Sequence, residues 1–129
     1  MYLMPEVKRQ SRDLTTLLGF ATGLALILTL LAAFYYAPME RTQGQAQRIF
    51  YIHLPIIWVA YGAFFVVFVA SGLYLWKQRP TFDHVAHASV EIGFLFTSLV
   101  LITGSIWARP IWGTWWSWDA RLTTTLILW

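Results

Sequence analysis

The chain has 129 residues, of which 58% are hydrophobic and only 12% are charged. A water-soluble domain of this size could not bury so much apolar surface in one core, so the composition indicates a membrane protein. The net charge of +3 is spread over short loops, which argues against a nucleic-acid partner. The sequence contains no cysteine, and this excludes disulfides, thiolate metal sites and thioether-linked cofactors.

Three long apolar stretches predict membrane-spanning helices at about residues 14–37, 56–76 and 85–108. A hydrocarbon layer of about 30 Å needs about 20 helical residues. The first stretch is longer than the apolar part of a signal peptide, so we interpret it as a retained anchor. Residues 1–13 are predicted to form a short cytoplasmic lead, and residues 14–129 a single all-α membrane domain.

A histidine precedes the second predicted helix. Proline suits the first turn of a helix, so Pro55 predicts that His53 lies at the mouth of this helix, at the membrane surface. The distribution of Lys and Arg slightly favours a cytoplasmic N-terminus. The number of helices then places His53 and the segment after the third helix on the same, external side.

Residues 120–129 look like the start of a fourth helix. Asp119 is a plausible N-cap, and Leu122 begins an apolar face. A helix of this length could not cross a membrane. We therefore expect the sequence to be part of a longer product.

The most unusual segment is residues 112–119, which hold four of the eight tryptophans. With Arg109 and Arg121 on its flanks and His53 on the same side, it could form a flat apolar platform for a macrocycle such as haem. Haem needs apolar area, cations for its propionates and an imidazole for its iron. The alternative is an interfacial aromatic belt, which is common in membrane proteins.

Three polar residues open the third helix on one face: His84, His87 and Glu91. They could be metal ligands, or simply polar residues near a helix end on the side opposite the tryptophans. The sequence has no phosphate-binding glycine loop, no Ser-His-Asp pattern and no external carboxylate pair, so we predict that the protein is not an enzyme.

The tryptophan segment resembles the Trp-Gly-x-x-Trp-x-Trp-Asp signature of the haem-handling WWD family of cytochrome c maturation. Residues 104–110 and 120–123 around it, and residues 51–55 before the second helix, are similar to the haem exporter protein C branch. The resemblance implies a six-helix inner-membrane protein with residues 112–119 at the periplasmic face. It also implies that His53 is one of two axial ligands, the second lying in a later loop beyond this sequence.

What the resemblance implies for function is non-covalent binding of haem b in transit and its delivery to a periplasmic haem chaperone. Its partners would be haem, membrane lipid, the chaperone and the subunits of an ATP-binding-cassette transporter. Two alternatives are a structural membrane subunit and an electron-transfer subunit with a b-type haem. The predicted haem-binding residues are His53, Arg109, Trp112, Gly113, Trp115, Trp116, Trp118, Asp119 and Arg121, with His53 binding the iron.

Overall fold

The computed structural model describes the backbone of residues 4–129 and the side chains of residues 12–129. Its elements are helix α1 (Met4–Leu31), a π-helical turn (Ala32–Tyr36), and helices α2 (Gln47–Lys77), α3 (Pro80–Trp112) and α4 (Ala120–Leu128). Within this part of the chain, three helices are long and apolar enough to cross a membrane: Arg12–Tyr36, Gln47–Lys77 and Pro80–Trp112. The predicted all-α membrane class is confirmed.

The chain forms two compact units, residues 1–38 and 39–129. In the first unit, α1 already begins at Met4, so most of the predicted lead is helical; its first three residues lie outside the described residues. The π-helical turn ends with the Ala37 N–H donating to Ala32 O at 2.8 Å. The next residue is Pro38, which disfavours helical backbone at Ala37, and Ala37 is accordingly extended.

In the second unit, α2 and α3 pack as an antiparallel hairpin whose connection is only two residues long. Gln78 ends α2 in the left-handed region (φ 50°), and Pro80 opens α3 at its first position. Small residues let the two backbones approach. Gly93 is one of them, because a Cβ there would lie 3.2 Å from the Phe64 ring. The other buried residues of the hairpin are Ala60, Ala70, Thr97 and Ala108.

The helix ends differ from the sequence prediction. Helix α2 begins at Gln47, nine residues before the predicted start, so Pro55 lies inside the helix and not in its first turn. Helix α3 begins five residues early and continues past Pro110 to Trp112. An internal proline removes one hydrogen bond, and membrane helices tolerate this because neighbouring groups satisfy the freed carbonyl. Pro55 therefore marked the wrong start for α2.

Candidate functional site

His53 lies in the second turn of α2, where it is half-buried against α3. Its Nδ1 is 2.7 Å from the hydroxyl oxygen of Thr103. The ring also packs on the backbone of Gly104, where a Cβ would lie 3.2 Å from its Cε1 and 3.8 Å from its Nε2. The expectation that His53 sits at the helix mouth is therefore wrong. The earlier start of α2 places the imidazole between two helices, where both polar and steric contacts orient it.

A cavity of about 200 Å³ lies beside this histidine, between α2, α3 and α4. Most of its wall is aliphatic or aromatic, and His53 and Arg121 contribute an imidazole and a guanidinium. The aromatic part of the wall consists of Phe50, Tyr61, Trp107 and Trp112. The hairpin and the start of α4 thus bring together an apolar wall, one imidazole and one guanidinium around a single cavity.

Two pairs of tryptophan rings meet at steep angles. Trp107 and Trp112 are edge to face, with centroids 5.1 Å apart and planes at 81°. Trp116 and Trp118 form a second edge-to-face pair at 5.8 Å and 77°. The expected flat platform is therefore not what the segment forms. Trp112 lines the cavity, whereas Trp115, Trp116 and Trp118 do not.

The two arginines that flank the tryptophans have different surroundings. Arg121 lies over the Trp112 ring, 5.4 Å from its centroid, and lines the cavity. Arg109 lies 6.0 Å from the centroid of Trp115 and donates to the carbonyl of Gly113. The sequence left open which arginine belongs with the histidine. In the structure, Arg121 shares the cavity with His53 and Arg109 does not.

Gly113 and Asp119 form the turns at the two ends of the tryptophan segment. Gly113 ends α3 in the left-handed region (φ 75°), which glycine adopts without steric cost, and its N–H donates to Arg109 O at 3.0 Å. Asp119 is the N-cap of α4, as predicted: Oδ1 accepts from Leu122 N at 2.9 Å, and Oδ2 accepts from Ser117 Oγ at 2.8 Å. These two residues shape the segment and do not line the cavity.

The hydrogen bonds to the Asp119 carboxylate also affect its ionisation. The backbone N–H of Leu122 and the hydroxyl of Ser117 stabilise the charged form, so they lower the pKa of Asp119 below its ordinary value of 3.8. Arg121, whose Nη2 is 3.8 Å from Oδ2, adds a smaller effect in the same direction. The cap is therefore anionic at neutral pH.

The loop before α2 is also held by hydrogen bonds to a carboxylate, and one of its side chains contacts the cavity wall. Oε2 of Glu40 accepts from the Thr42 hydroxyl at 2.6 Å and from the Gln43 N–H at 2.6 Å, and these bonds lower the pKa of Glu40. Oε1 of Gln43 in turn accepts from the indole N–H of Trp107 at 3.4 Å. The loop thus holds one of the aromatic side chains that line the cavity.

The polar residues at the other end of α3 form a separate group. His84, His87 and Glu91 are all exposed, and His87 Nε2 is 3.8 Å from Asp83 Oδ1. No group of three or more His, Cys, Asp or Glu side chains that could hold a metal ion occurs among the described residues. At 1.5 Å per residue, His87 lies about 26 Å along α3 from Gly104. His84 and His87 are therefore too far from His53 to bind the same metal ion.

Together these features define a multi-pass helical membrane protein with an aromatic cavity at one end of a helical hairpin. The sequence profile of the family described as Heme exporter protein C matches residues 4–129, and the chain belongs to this family.

Among curated relatives, the chain is 41% identical to the heme exporter protein C of Haemophilus influenzae over 132 aligned positions, which cover 98% of the chain and 52% of the relative. It is 46% identical to the heme exporter protein C of Bradyrhizobium diazoefficiens over 71% of the chain and 35% of the relative. A putative cytochrome c biosynthesis ccmC-like mitochondrial protein of Marchantia polymorpha is 38% identical over 84% of the chain and 46% of the relative. The chain thus spans about half or less of the length of these relatives.

Proposed function

We propose that the protein binds haem and transfers it for cytochrome c maturation at the external face of the bacterial inner membrane. The observation that carries this proposal is the cavity in which His53, Arg121 and aromatic side chains meet. Membership of the heme exporter protein C family supports the same cargo.

The residues around the cavity match the chemistry of haem. The macrocycle is flat and apolar, so Trp107, Trp112 and Phe50 can cover part of its surface. A guanidinium is the preferred partner of a carboxylate, so Arg121 would pair with a propionate. An imidazole is a common axial ligand, so His53 would bind the iron. Because the sequence has no cysteine to form a thioether, the haem would be haem b, held without a covalent bond.

The remaining tryptophans of the segment would contribute the outer part of the binding surface. Trp115 and Trp118 are 57% and 78% exposed, so both rings are accessible. Trp116 is half-buried, and its indole N–H has no hydrogen-bond partner among the described residues. We propose that these rings contact the edge of the haem, while Gly113, Arg109 and Asp119 maintain the conformation of the segment.

Holding the iron on both sides requires a second axial ligand, and transfer requires a protein that receives the haem. The sequence has only three histidines, and the two on α3 are too far away to bind the same iron as His53. The second axial ligand would therefore be the later external histidine that the family resemblance implies. The haem would then pass to a periplasmic haem chaperone, with the subunits of an ATP-binding-cassette transporter as further partners.

The test is the haem absorption spectrum of the full-length protein purified from membranes. We expect His53→Ala to abolish or strongly reduce bound haem, because one axial ligand is removed. The matched control is His87→Ala, which removes an exposed imidazole at the other end of α3 and should leave haem occupancy unchanged. If His53→Ala retained the wild-type spectrum and occupancy, His53 would not be an iron ligand.

A further inference from the structure

We propose that Thr103 is a positioning residue for His53: its hydroxyl holds the proton of the neutral imidazole on Nδ1, so that Nε2 keeps its lone pair for the iron. The iron part of this inference rests on the proposed function, whereas the position of the proton does not. Metal-ligating histidines generally donate their second ring N–H to a fixed acceptor, which sets the tautomer and strengthens the ligand.

The argument begins with the two short contacts of the Thr103 hydroxyl. Its oxygen is 2.7 Å from His53 Nδ1 and 2.6 Å from the backbone carbonyl oxygen of Leu99. A hydroxyl carries one proton and can also accept, whereas a carbonyl oxygen can only accept. The contact with Leu99 therefore requires the hydroxyl proton. The hydroxyl oxygen is then left to accept, and Nδ1 must donate to it.

The opposite arrangement is unfavourable. If Nδ1 accepted the hydroxyl proton, the oxygens of Thr103 and Leu99 would face each other at 2.6 Å with no hydrogen between them. The two oxygens would repel each other, and the Leu99 carbonyl would lose the hydroxyl proton that it accepts. Only a proton on Nδ1 satisfies both contacts.

Other hydroxyls of α3 indicate the same direction for the Thr103 proton. Thr97 donates to Gly93 O at 2.7 Å, and Ser105 donates to Leu101 O at 2.8 Å, each four residues back along the helix. This bond is the usual one for a hydroxyl in a helix interior. Thr103 makes the same bond to its own i−4 carbonyl, and the histidine is an additional partner.

Gly104 adds a steric constraint next to this polar one. A Cβ at this position would lie 3.2 Å from the Cε1 of His53, which means that the ring is packed directly on the backbone of α3. Thr103 therefore fixes which nitrogen carries the proton, and Gly104 limits how far the ring can move. Two consecutive residues of α3 present Nε2 in one orientation.

The position of the proton can be measured without haem. The probe is the haem-free, full-length protein with ¹⁵N-labelled histidine, at a pH about two units above the ordinary histidine pKa of ~6.5, so that the imidazole is neutral. Long-range ¹H–¹⁵N correlation spectra separate the two tautomers, and His53→Gln identifies the signals of His53. We expect the Nδ1–H tautomer in the wild type and in Thr103→Ser. In Thr103→Val, which has the same shape but no acceptor, we expect this preference to be lost.

Two results of this experiment would overturn the inference: an Nε2–H tautomer in the wild type, or an unchanged tautomer in Thr103→Val. Haem titration of the same variants tests the positioning role separately. We expect haem affinity to fall about 10-fold or more in Thr103→Val, the range for loss of a partner that orients a metal ligand. Thr103→Ser should restore it.

The control for the titration is Ser105→Ala, which removes the same kind of hydroxyl bond to the i−4 carbonyl in α3. It should bind haem as the wild type does. Equal affinity of Thr103→Val and the wild type would refute the positioning role. A wild-type protein that binds no haem would refute the proposed function, whereas the tautomer experiment would still decide whether Thr103 fixes the proton.

Discussion

Substitution of Gly104 by alanine should weaken haem binding by a predictable amount. The new Cβ would lie 3.2 Å from His53 Cε1, closer than ordinary contact, so the ring must withdraw by a few tenths of an ångström. The ring cannot do so freely, because its Nδ1 is bonded to Thr103 at 2.7 Å. Keeping the ring in its iron-binding orientation against the new methyl group would strain the His53 side chain, and a side chain about 30° off its rotamer costs about 0.5–1.5 kcal/mol. We therefore expect haem affinity to fall, by at most about 12-fold.

The assay is haem titration of the full-length protein, with the thermal midpoint of unfolding measured in parallel. Gly72→Ala is the matched control, because a Cβ at Gly72 meets nothing within 4 Å. Alanine is also the better helix former, so neither variant should lose stability through helix propensity. Unchanged haem affinity in Gly104→Ala would show that the orientation of His53 does not limit binding. An equal loss in Gly72→Ala would show that the effect is not specific to the site.

Three further predictions concern topology, acid stability and packing. In a full-length protein whose only cysteine is the introduced one, a membrane-impermeant thiol reagent should label Gln45→Cys in intact cells and Arg79→Cys only after permeabilisation; the reverse pattern would invert the proposed orientation. Because the pKa of Asp119 is lowered in the folded state, its ionised carboxylate stabilises that state above about pH 4. This stabilisation is lost as the pH falls through the folded-state pKa. Asp119→Asn keeps a capping oxygen without a titrating group, so thermal unfolding should depend less on acid; an unchanged acid profile would argue against this cap. Gly93→Leu should lower the free energy of unfolding by about 1–3 kcal/mol, because the new side chain overpacks against Phe64. Thermal unfolding should show that Phe64→Ala in the same chain recovers part of this loss. No recovery would show that the two positions do not pack against each other.

The sequence predicted that the helices exist but not where they end. Long uncharged stretches are a direct consequence of the bilayer thickness, so three membrane-spanning helices could be expected from composition alone. Proline is ambiguous, because it is common at the first position of a helix and is also tolerated inside membrane helices. Pro80 is of the first kind, whereas Pro55 and Pro110 are of the second. The role of Asp119 could be predicted, because an N-cap residue before an apolar helix face is a local sequence signal.

His53 contacts α3 through tertiary packing, but its contact with Gly104 follows from the way in which α2 and α3 pair. With a two-residue connection at residues 78–79, an antiparallel hairpin places residue i of α2 opposite residue 157 − i of α3. This rule pairs His53 with Gly104, which is the observed contact. It could not be applied from sequence while α2 was thought to begin at residue 56, beyond the histidine. The bond to Thr103 depends in addition on side-chain rotamers, for which the sequence carries no signal.

The two arginines that flank the tryptophan segment differ in how much their contacts contribute to the structure. Arg109 has a structural role, whereas Arg121 is available to a ligand. Arg109 donates to the Gly113 carbonyl, so moving it would break a hydrogen bond at the end of α3. The contact of Arg121 with Asp119 is long, at 3.8 Å, and the arginine side chain is 68% exposed, so this ion pair contributes little to stability. Asp119 would keep its bonds to Leu122 and Ser117 if the arginine moved. Arg121 can therefore exchange its carboxylate partner at small cost, which is what reversible binding of a propionate beside His53 requires.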